Sequence, residues 1–253
     1  MKRMAFLVLA ATAISVIHPA LAQQPLSQSE DKVNLTDLPA WLIDFSNISP
    51  QEKADYVEYF KQAKIAYMSG DWVNCESNLT SCELIFNNNP NVWNLRCSAL
   101  IEQGKAEEAA TELARAQQVL PNDAVTLMNT ANLHLLKKEY RVCIDHISAI
   151  LEKIPYSQEE LRDTLTYRVF LCYLLQGKIQ EAKELTKDVS PMADTPLYYY
   201  CQASLAITRK DRTGAMRDIA AANRIFAKTA AAIPYQRALN ISGLIEHYLP
   251  ADH

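Results

Sequence analysis

The sequence lacks the short motifs that mark the common enzyme classes and metal sites. It contains no Cys-x-x-Cys pair, no His-Glu-x-x-His, no Gly-x-Ser-x-Gly and no glycine-rich loop that could hold a phosphate. Its five histidines are scattered, and its carboxylates follow the pattern of solvated helix faces. We therefore expect a protein that is not an enzyme and that needs no cofactor.

Concentrated positive charge is also missing. Lysine and arginine number 25 against 29 aspartates and glutamates, which gives a formal net charge of −4, and both signs are spread along the chain. Without a basic stripe, nucleic acid is not an expected partner. Without a basic amphipathic segment, neither is a membrane surface.

A single long apolar run, 4–17, lies near the N-terminus. Lys2 and Arg3 precede it, and the small-x-small sequence Ala-Leu-Ala follows at 20–22. This pattern is typical of a secretory signal peptide, and the run is shorter than the ~20 residues of a membrane-spanning helix. It predicts cleavage after residue 22, a periplasmic or secreted mature chain of net charge −6, and no membrane insertion after signal removal.

Glycine is scarce, with five residues, and three of them punctuate helical patterns at regular intervals. Lysines occupy the equivalent place in two further turns. The five turn positions are Gly70, Gly104, Lys138, Gly177 and Lys210, which gives sequence steps of 34, 34, 39 and 33. Small residues recur seven residues before and five residues after most of these turns, such as Ala63 and Cys75. Two antiparallel helices can approach closely at such positions, so the pattern predicts repeated helix–turn–helix units.

Helical units with this period resemble the tetratricopeptide repeat, whose period is ~34 residues. The resemblance covers residues 56 to about 229. It implies an all-α, right-handed α-solenoid of about five repeats with a C-terminal capping helix. The expected organisation is a signal peptide (1–22), an N-terminal extension that packs on the solenoid (23–48), the repeats (49–229), and a C-terminal capping helix and tail (230–253).

Several sequences predict where helices begin. Ser49 with Glu52, and Ser157 with Glu160, have the spacing of a capping box, in which the two residues satisfy each other's backbone N–H groups. Two further starts place a capping side chain before a proline, at Asn89-Pro90 and Thr195-Pro196.

Two departures from the repeat pattern stand out. The fourth repeat has Phe170 where a small residue is expected, and its second helix must end before Pro191, so it should be short. Arg96 replaces the leucine that is usual in the second repeat. The helix around 165–175 is nearly all apolar and must be buried somewhere. An alternative function is therefore a structural homo-oligomer or assembly subunit that buries this helix in an interface.

In proteins of this family the first helices line a concave groove that binds peptides, which implies a non-enzymatic interaction scaffold for a protein or peptide of the cell envelope. Asparagine amides can donate to and accept from a peptide backbone, and Arg168 could pair with a carboxylate. Residues 33–45 or a second copy of the chain are alternative coverings of the groove. The candidate groove residues are Lys64, Tyr67, Asn94, Asn129, Asn132, Arg168 and Tyr200.

Six cysteines are present, and four of them fall on small packing positions of the repeats: Cys75, Cys82, Cys97 and Cys143. We expect them to be buried as small apolar side chains. Cys75 and Cys82 lie two turns apart on one helix, roughly 10 Å, which exceeds disulfide reach. Cys82 and Cys97 lie on neighbouring helices and form the first candidate disulfide. Cys172 and Cys201 form a weaker second candidate.

Overall fold

The computed structural model describes residues 39–248. The predicted signal peptide, residues 23–38 and residues 249–253 lie outside the described residues. Within the described part all the regular secondary structure is helical and there are no strands, which confirms the all-α class. The thirteen helices of this part are α1 (Ala40–Asn47), α2 (Pro50–Ser69), α3 (Trp72–Ile85), α4 (Pro90–Glu102), α5 (Ala106–Val119), α6 (Ala124–Leu136), α7 (Tyr140–Leu151), α8 (Glu159–Leu175), α9 (Ile179–Leu185), α10 (Leu197–Thr208), α11 (Arg212–Ile225), α12 (Ile233–Ile241) and α13 (Leu244–Tyr248).

Each predicted turn position adopts the left-handed backbone conformation. The φ angles are 74°, 74° and 73° at Gly70, Gly104 and Gly177, and 61° at both Lys138 and Lys210. After four of these five turns, the next backbone N–H reaches back to the carbonyl five residues earlier, at 2.9 Å in each case. This bond closes the helix with a Schellman motif. All five turn positions predicted from the spacing therefore have the left-handed conformation, and four of the turns also share the Schellman hydrogen bond.

Lys138 should be less favourable than glycine at its turn. A side chain in the left-handed conformation costs about 1 kcal/mol or more, and glycine avoids that cost. Lys138→Gly is therefore expected to raise the free energy of unfolding by about 1 kcal/mol, measured by urea denaturation followed by circular dichroism. The reciprocal change, Gly104→Lys, should lower it by a similar amount, because a Cβ at Gly104 meets no atom within 4 Å and only the backbone angle opposes it. Equal stability of the two variants would contradict this account.

The helix starts agree only in part with the sequence. At α2 the predicted capping box is confirmed, with the Ser49 hydroxyl accepting from the Glu52 N–H and the Glu52 carboxylate accepting from the Ser49 N–H at 2.8 Å. The second predicted box is wrong, because α8 begins at Glu159 and Ser157 lies in the preceding turn. The hydroxyl of Thr195 does not cap α10 either: α10 begins at Leu197, after Pro196, and no side chain caps it, while the Thr195 hydroxyl donates to Asp163 at 2.6 Å.

The described chain divides into two compact units. Unit 1 comprises residues 39–100 and 108–126. Its core runs through the first two helix pairs, with Leu79 and Leu95 fully buried. Helix α1, from the N-terminal extension, packs on this core: the Phe45 ring lies 4.9 Å from that of Tyr56 and 5.4 Å from that of Phe86.

Unit 2 comprises residues 101–107 and 127–248. Its centre is α8, which contacts α7, α9, α10 and α12. Helix α9 is only seven residues long, as the sequence predicted for the fourth repeat. The C-terminal segment forms two short helices instead of one, because the chain turns at Gly243, whose φ is 65°.

The apolar helix that motivated the oligomer alternative is buried within unit 2. Leu165, Phe170, Leu171 and Leu174 of α8 are at most 2% exposed in the single chain. They need no second copy to cover them, so this argument for a homo-oligomer is overturned. The error arose because the sequence does not show which later helices return to α8.

Candidate functional site

The predicted groove residues are mostly interior. Lys64 and Asn132 are half-buried, whereas the other five are buried: Tyr67, Asn94, Asn129, Arg168 and Tyr200. These five side chains pack inside the chain and do not form a surface that a peptide could reach. The reason differs between the two units.

In unit 2 the C-terminal helix α12 covers the face that the sequence assigned to a ligand. The ring of Tyr235 on α12 lies 5.5 Å from that of Tyr200 and 5.4 Å from that of Tyr167. The Tyr167 hydroxyl shares a 2.8 Å hydrogen bond with that of Ser204. Aromatic contacts of this kind bury large apolar areas. The chain therefore fills this part of the predicted groove with its own helix α12.

Arg168 is held inside unit 2 by neutral acceptors. Its Nε donates to the Asn132 side-chain oxygen at 2.6 Å, and its Nη1 donates to the Thr164 carbonyl at 2.7 Å. Burial lowers the pKa of this guanidinium. Nearby Glu102 has a raised pKa because it is also buried, although Arg237 and Arg168 partly offset this. The Arg168 guanidinium therefore makes hydrogen bonds inside unit 2 and is not placed to pair with the carboxylate of a bound peptide.

In unit 1 the predicted groove residues also bond to their own chain. The Asn94 amide donates to the Thr126 hydroxyl at 2.9 Å, and both residues are buried. Tyr67 packs beside Trp72, with 6.1 Å between the ring centroids. Lys64 is the exception, since it reaches the surface while its ammonium lies 5.3 Å from the centroid of the Phe60 ring. Partial burial lowers the pKa of Lys64.

An accessible surface remains on α2, which we call the α2 stripe. It consists of Val57, Lys61, Lys64, Ile65 and Met68, which recur at helical spacing along one side of α2. Val57, Ile65 and Met68 are 41%, 54% and 47% exposed, respectively. Three exposed apolar side chains flanking two lysines form a patch suited to a protein partner.

A cleft of about 280 Å³ adjoins the stripe at Ile65. Its polar rim is organised by the turn between α2 and α3: the Asp71 carboxylate accepts from the Asn74 N–H at 3.1 Å, and the Asn78 amide donates to the Asn74 carbonyl at 2.7 Å. Ile65 and Ala66 form the smaller, apolar part of a lining that is mostly polar. Its lining residues are Gln62, Ile65, Ala66, Ser69, Asp71, Asn74 and Asn78.

Sequence reasoning found part of the α2 stripe and missed Ile65. Lys64 was a predicted groove residue. The family pattern, however, predicted groove residues on the first helix of every repeat and did not single out α2. Ile65 follows Val57 by eight residues and so falls on the same side of the helix, away from buried Tyr56, Phe60 and Ala63. A comparison of the apolar residues with the buried periodicity of α2 could have identified it.

Arg96, the other departure from the repeat pattern, is the centre of a charge cluster in unit 1. It is 8% exposed, its Nη1 lies 2.8 Å from a Glu83 oxygen, and its Nε donates to both Glu76 oxygens at 3.0 and 3.1 Å. Arg115 also contacts Glu83, at 3.2 Å, and stacks on Trp93 at 4.4 Å. Burial alone would lower the pKa of Arg96, but Glu76 and Glu83 more than offset this and raise it. The cluster ties α3, α4 and α5 together.

All six cysteines are buried and carry free thiols in the structure. Burial raises the pKa of Cys82 and of Cys97 to about 12. The Cys82 thiol points to the Tyr56 carbonyl at 3.7 Å. Cys201 interacts with Thr186. Neither of the two candidate disulfides is therefore formed here.

Neither a metal site nor a membrane span is found in the described part of the chain. Between residues 39 and 248, no three histidine, cysteine, aspartate or glutamate side chains are arranged to hold a metal ion. None of the helices in this range is both long enough and apolar enough to cross a membrane. Comparisons with family models, with curated proteins and with solved structures give no match to the chain. Its function must therefore be inferred from the surfaces described above.

Proposed function

We propose that this chain is an exported, non-enzymatic helical-repeat protein of the cell envelope that binds a segment of another protein through the α2 stripe. The observation that carries this proposal is the exposed apolar side of α2 beside a cleft. In unit 2, by contrast, helix α12 covers the predicted groove face around Tyr200. The signal-peptide pattern of residues 1–22 supports export.

The repeated turns support an α-solenoid as the framework. Five helix pairs turn at the same left-handed position, at sequence steps of 34, 34, 39 and 33. Stacked helix pairs of this kind use extended surfaces to bind other proteins. In this proposal the first repeat supplies the binding surface, and the C-terminal helices act as the cap that terminal repeats require.

The chemistry of the α2 stripe favours a partner segment with apolar side chains and at least one carboxylate. Ile65 and Met68 offer adaptable apolar contact. Lys61 is paired with Glu58 at 3.5 Å, but both side chains are more than half exposed, so this ion pair is weak and can exchange partners. The cleft beside Ile65 could accept one side chain of the bound segment.

Met68→Asp should weaken binding of such segments strongly. We would select peptides from a random library on the purified chain and measure the dissociation constants of the enriched peptides by calorimetry. Loss of the apolar contact of one large side chain, worth about 1.5–3 kcal/mol, corresponds to roughly a 10- to 100-fold weaker affinity. The enriched peptides should be both apolar and acidic.

Val73→Asp is the matched control. Val73 is 82% exposed on the neighbouring helix α3 and is not part of the α2 stripe. The same chemical change there should leave the affinity within about twofold, because no bound group is desolvated at this site. Selection of no peptide at all, or equal losses from the two variants, would contradict the proposed site.

A further inference from the structure

The α2 stripe has the spacing of a surface on which another helix packs. Val57, Lys61, Ile65 and Met68 follow one another at steps of four, four and three residues. They are therefore about 6, 6 and 4.5 Å apart along the axis of α2. Rows of this spacing form the ridges that fit into the grooves of a neighbouring helix. The row from Val57 to Met68 spans about three helical turns, which matches three turns of a bound helix.

The stripe offers few acceptors to the main chain of a bound segment. Between its ends, α2 bonds its own N–H and C=O groups, so an extended segment cannot add to it as a strand. The apolar side chains of the stripe make no hydrogen bonds, and its lysines only donate.

The adjoining cleft does not supply the missing acceptors along the stripe. Its polar groups lie beside Ile65 only, and the Asp71 carboxylate there already accepts from the Asn74 N–H at 3.1 Å. The N–H groups of an extended segment would lie against the apolar side chains of α2 without partners, which is costly. A helical segment satisfies its own N–H groups and presents only side chains to the stripe.

The charge of the stripe selects the kind of helix. Lys61 and Lys64 lie among the apolar side chains, and the side chain of Lys61 is 60% exposed. Its ion pair with Glu58 is exposed and exchanges readily for a carboxylate of a ligand. A second copy of the stripe would add two more lysines to the contact and no acid, so like charges disfavour self-association.

We propose that the α2 stripe binds an acidic amphipathic α-helix of another protein. The ligand helix packs along α2, sets its apolar side chains against Val57, Ile65 and Met68, and places glutamates or aspartates beside Lys61 and Lys64. This inference rests on the proposed function, to which it adds the conformation and the charge of the bound segment.

The test uses the full purified chain and three synthetic peptides of about 18 residues, a length at which a helix can form. The first carries leucines on one side of a helix, glutamates beside them and alanines elsewhere. The second has two central prolines in place of alanines, so it keeps the leucines and glutamates but cannot form a continuous helix. The third has lysine in place of every glutamate.

The first peptide should bind at least about tenfold more tightly than the proline peptide and the lysine peptide in calorimetry. Its circular dichroism spectrum should gain helical signal on binding. Lys61→Glu should weaken binding of the first peptide severalfold and strengthen that of the lysine peptide, because it removes the net positive charge of the stripe. Val73→Asp should leave both affinities within about twofold.

Three outcomes would overturn the inference and leave the proposed function intact or replace it. Equal affinities for the first and the proline peptide, both lost in Met68→Asp, would show an extended ligand at the same stripe. Library peptides that bind through Met68 while the first peptide does not would exclude an acidic helix. Binding of the chain to vesicles of phosphatidylglycerol and phosphatidylcholine, lost in Met68→Asp, with no binding of any peptide, would identify a lipid surface and overturn the proposed function as well.

Discussion

Tyr235→Ala is expected to lower the free energy of unfolding by about 4 kcal/mol, as truncation of a large core aromatic residue does. Tyr235 is fully buried, and its ring contacts those of both Tyr167 and Tyr200. Removal of the Tyr235 ring leaves a cavity between α8, α10 and α12, and the packed helices cannot move together enough to fill it. The measurement is the urea transition followed by far-ultraviolet circular dichroism.

Tyr235→Phe separates packing from hydrogen bonding in this prediction. The Tyr235 hydroxyl is buried and makes no well-formed hydrogen bond, although Thr195 lies close to it. Removing a hydroxyl that has no good partner should cost less than about 1 kcal/mol. Equal destabilisation by alanine and phenylalanine would contradict the packing role, and a stable Tyr235→Ala variant would show that α12 does not complete unit 2.

Arg96→Leu is expected to lower the free energy of unfolding by about 3 kcal/mol, because it leaves Glu83 and Glu112 partly buried with one cation fewer. The family resemblance alone suggests the opposite sign, since leucine is the usual residue there. Glu83 and Glu112 have side chains only 24% and 14% exposed, whereas Glu76 is half exposed and screened by solvent. Most of the decrease in the free energy of unfolding should therefore come from the lost ion pairs with Glu83 and Glu112.

The readout for Arg96→Leu is tryptophan fluorescence, because all three tryptophans, Trp41, Trp72 and Trp93, belong to unit 1. Lys61→Leu is the matched control, because Lys61 also lies in unit 1. Its side chain is 60% exposed and lies 3.5 Å from the exposed Glu58, a pair that contributes little. Its replacement should change stability by less than about 0.5 kcal/mol. A neutral or stabilising Arg96→Leu would show that the charge cluster is dispensable.

Local features of the fold were predictable from the sequence. The positions of the five turns follow from the spacing of Gly70, Gly104 and Gly177, even where lysine takes the place of glycine. The capping box at Ser49 was also predictable, because its hydrogen bonds join residues three apart. At Ser157 the same pattern failed, since the chain forms a turn at Pro155, whose carbonyl accepts from the Gln158 N–H at 3.0 Å.

The candidate site was less predictable because it depends on contacts between residues distant in sequence. Tyr235 lies much later in the chain and covers the face around Tyr200 and Tyr167. The residue spacing within α8 and α10 does not predict this contact.

The groove hypothesis assigned packing and binding to the same helix faces. In the structure the faces of α8 and α10 around Tyr167 and Tyr200 are occupied by contacts within unit 2, and we propose that a partner binds the α2 stripe instead. Asn94 and Arg168, which resembled ligand-binding side chains in the sequence, satisfy buried polar groups of their own units. Substitutions at Asn94 or Arg168 should therefore lower the stability of the chain, and any effect on binding should be corrected for that loss.

Site-specific photo-crosslinking tests the central claim most directly. A photoreactive amino acid would replace Met68, Val73 or Val142, one at a time, in the full chain expressed in the cells that encode it. All three side chains are exposed, but only Met68 belongs to the α2 stripe. The account predicts a discrete crosslinked protein from Met68 that disappears when Ile65→Asp is added, and none from Val73 or Val142. Crosslinks from Val73 or Val142 but not from Met68 would contradict it.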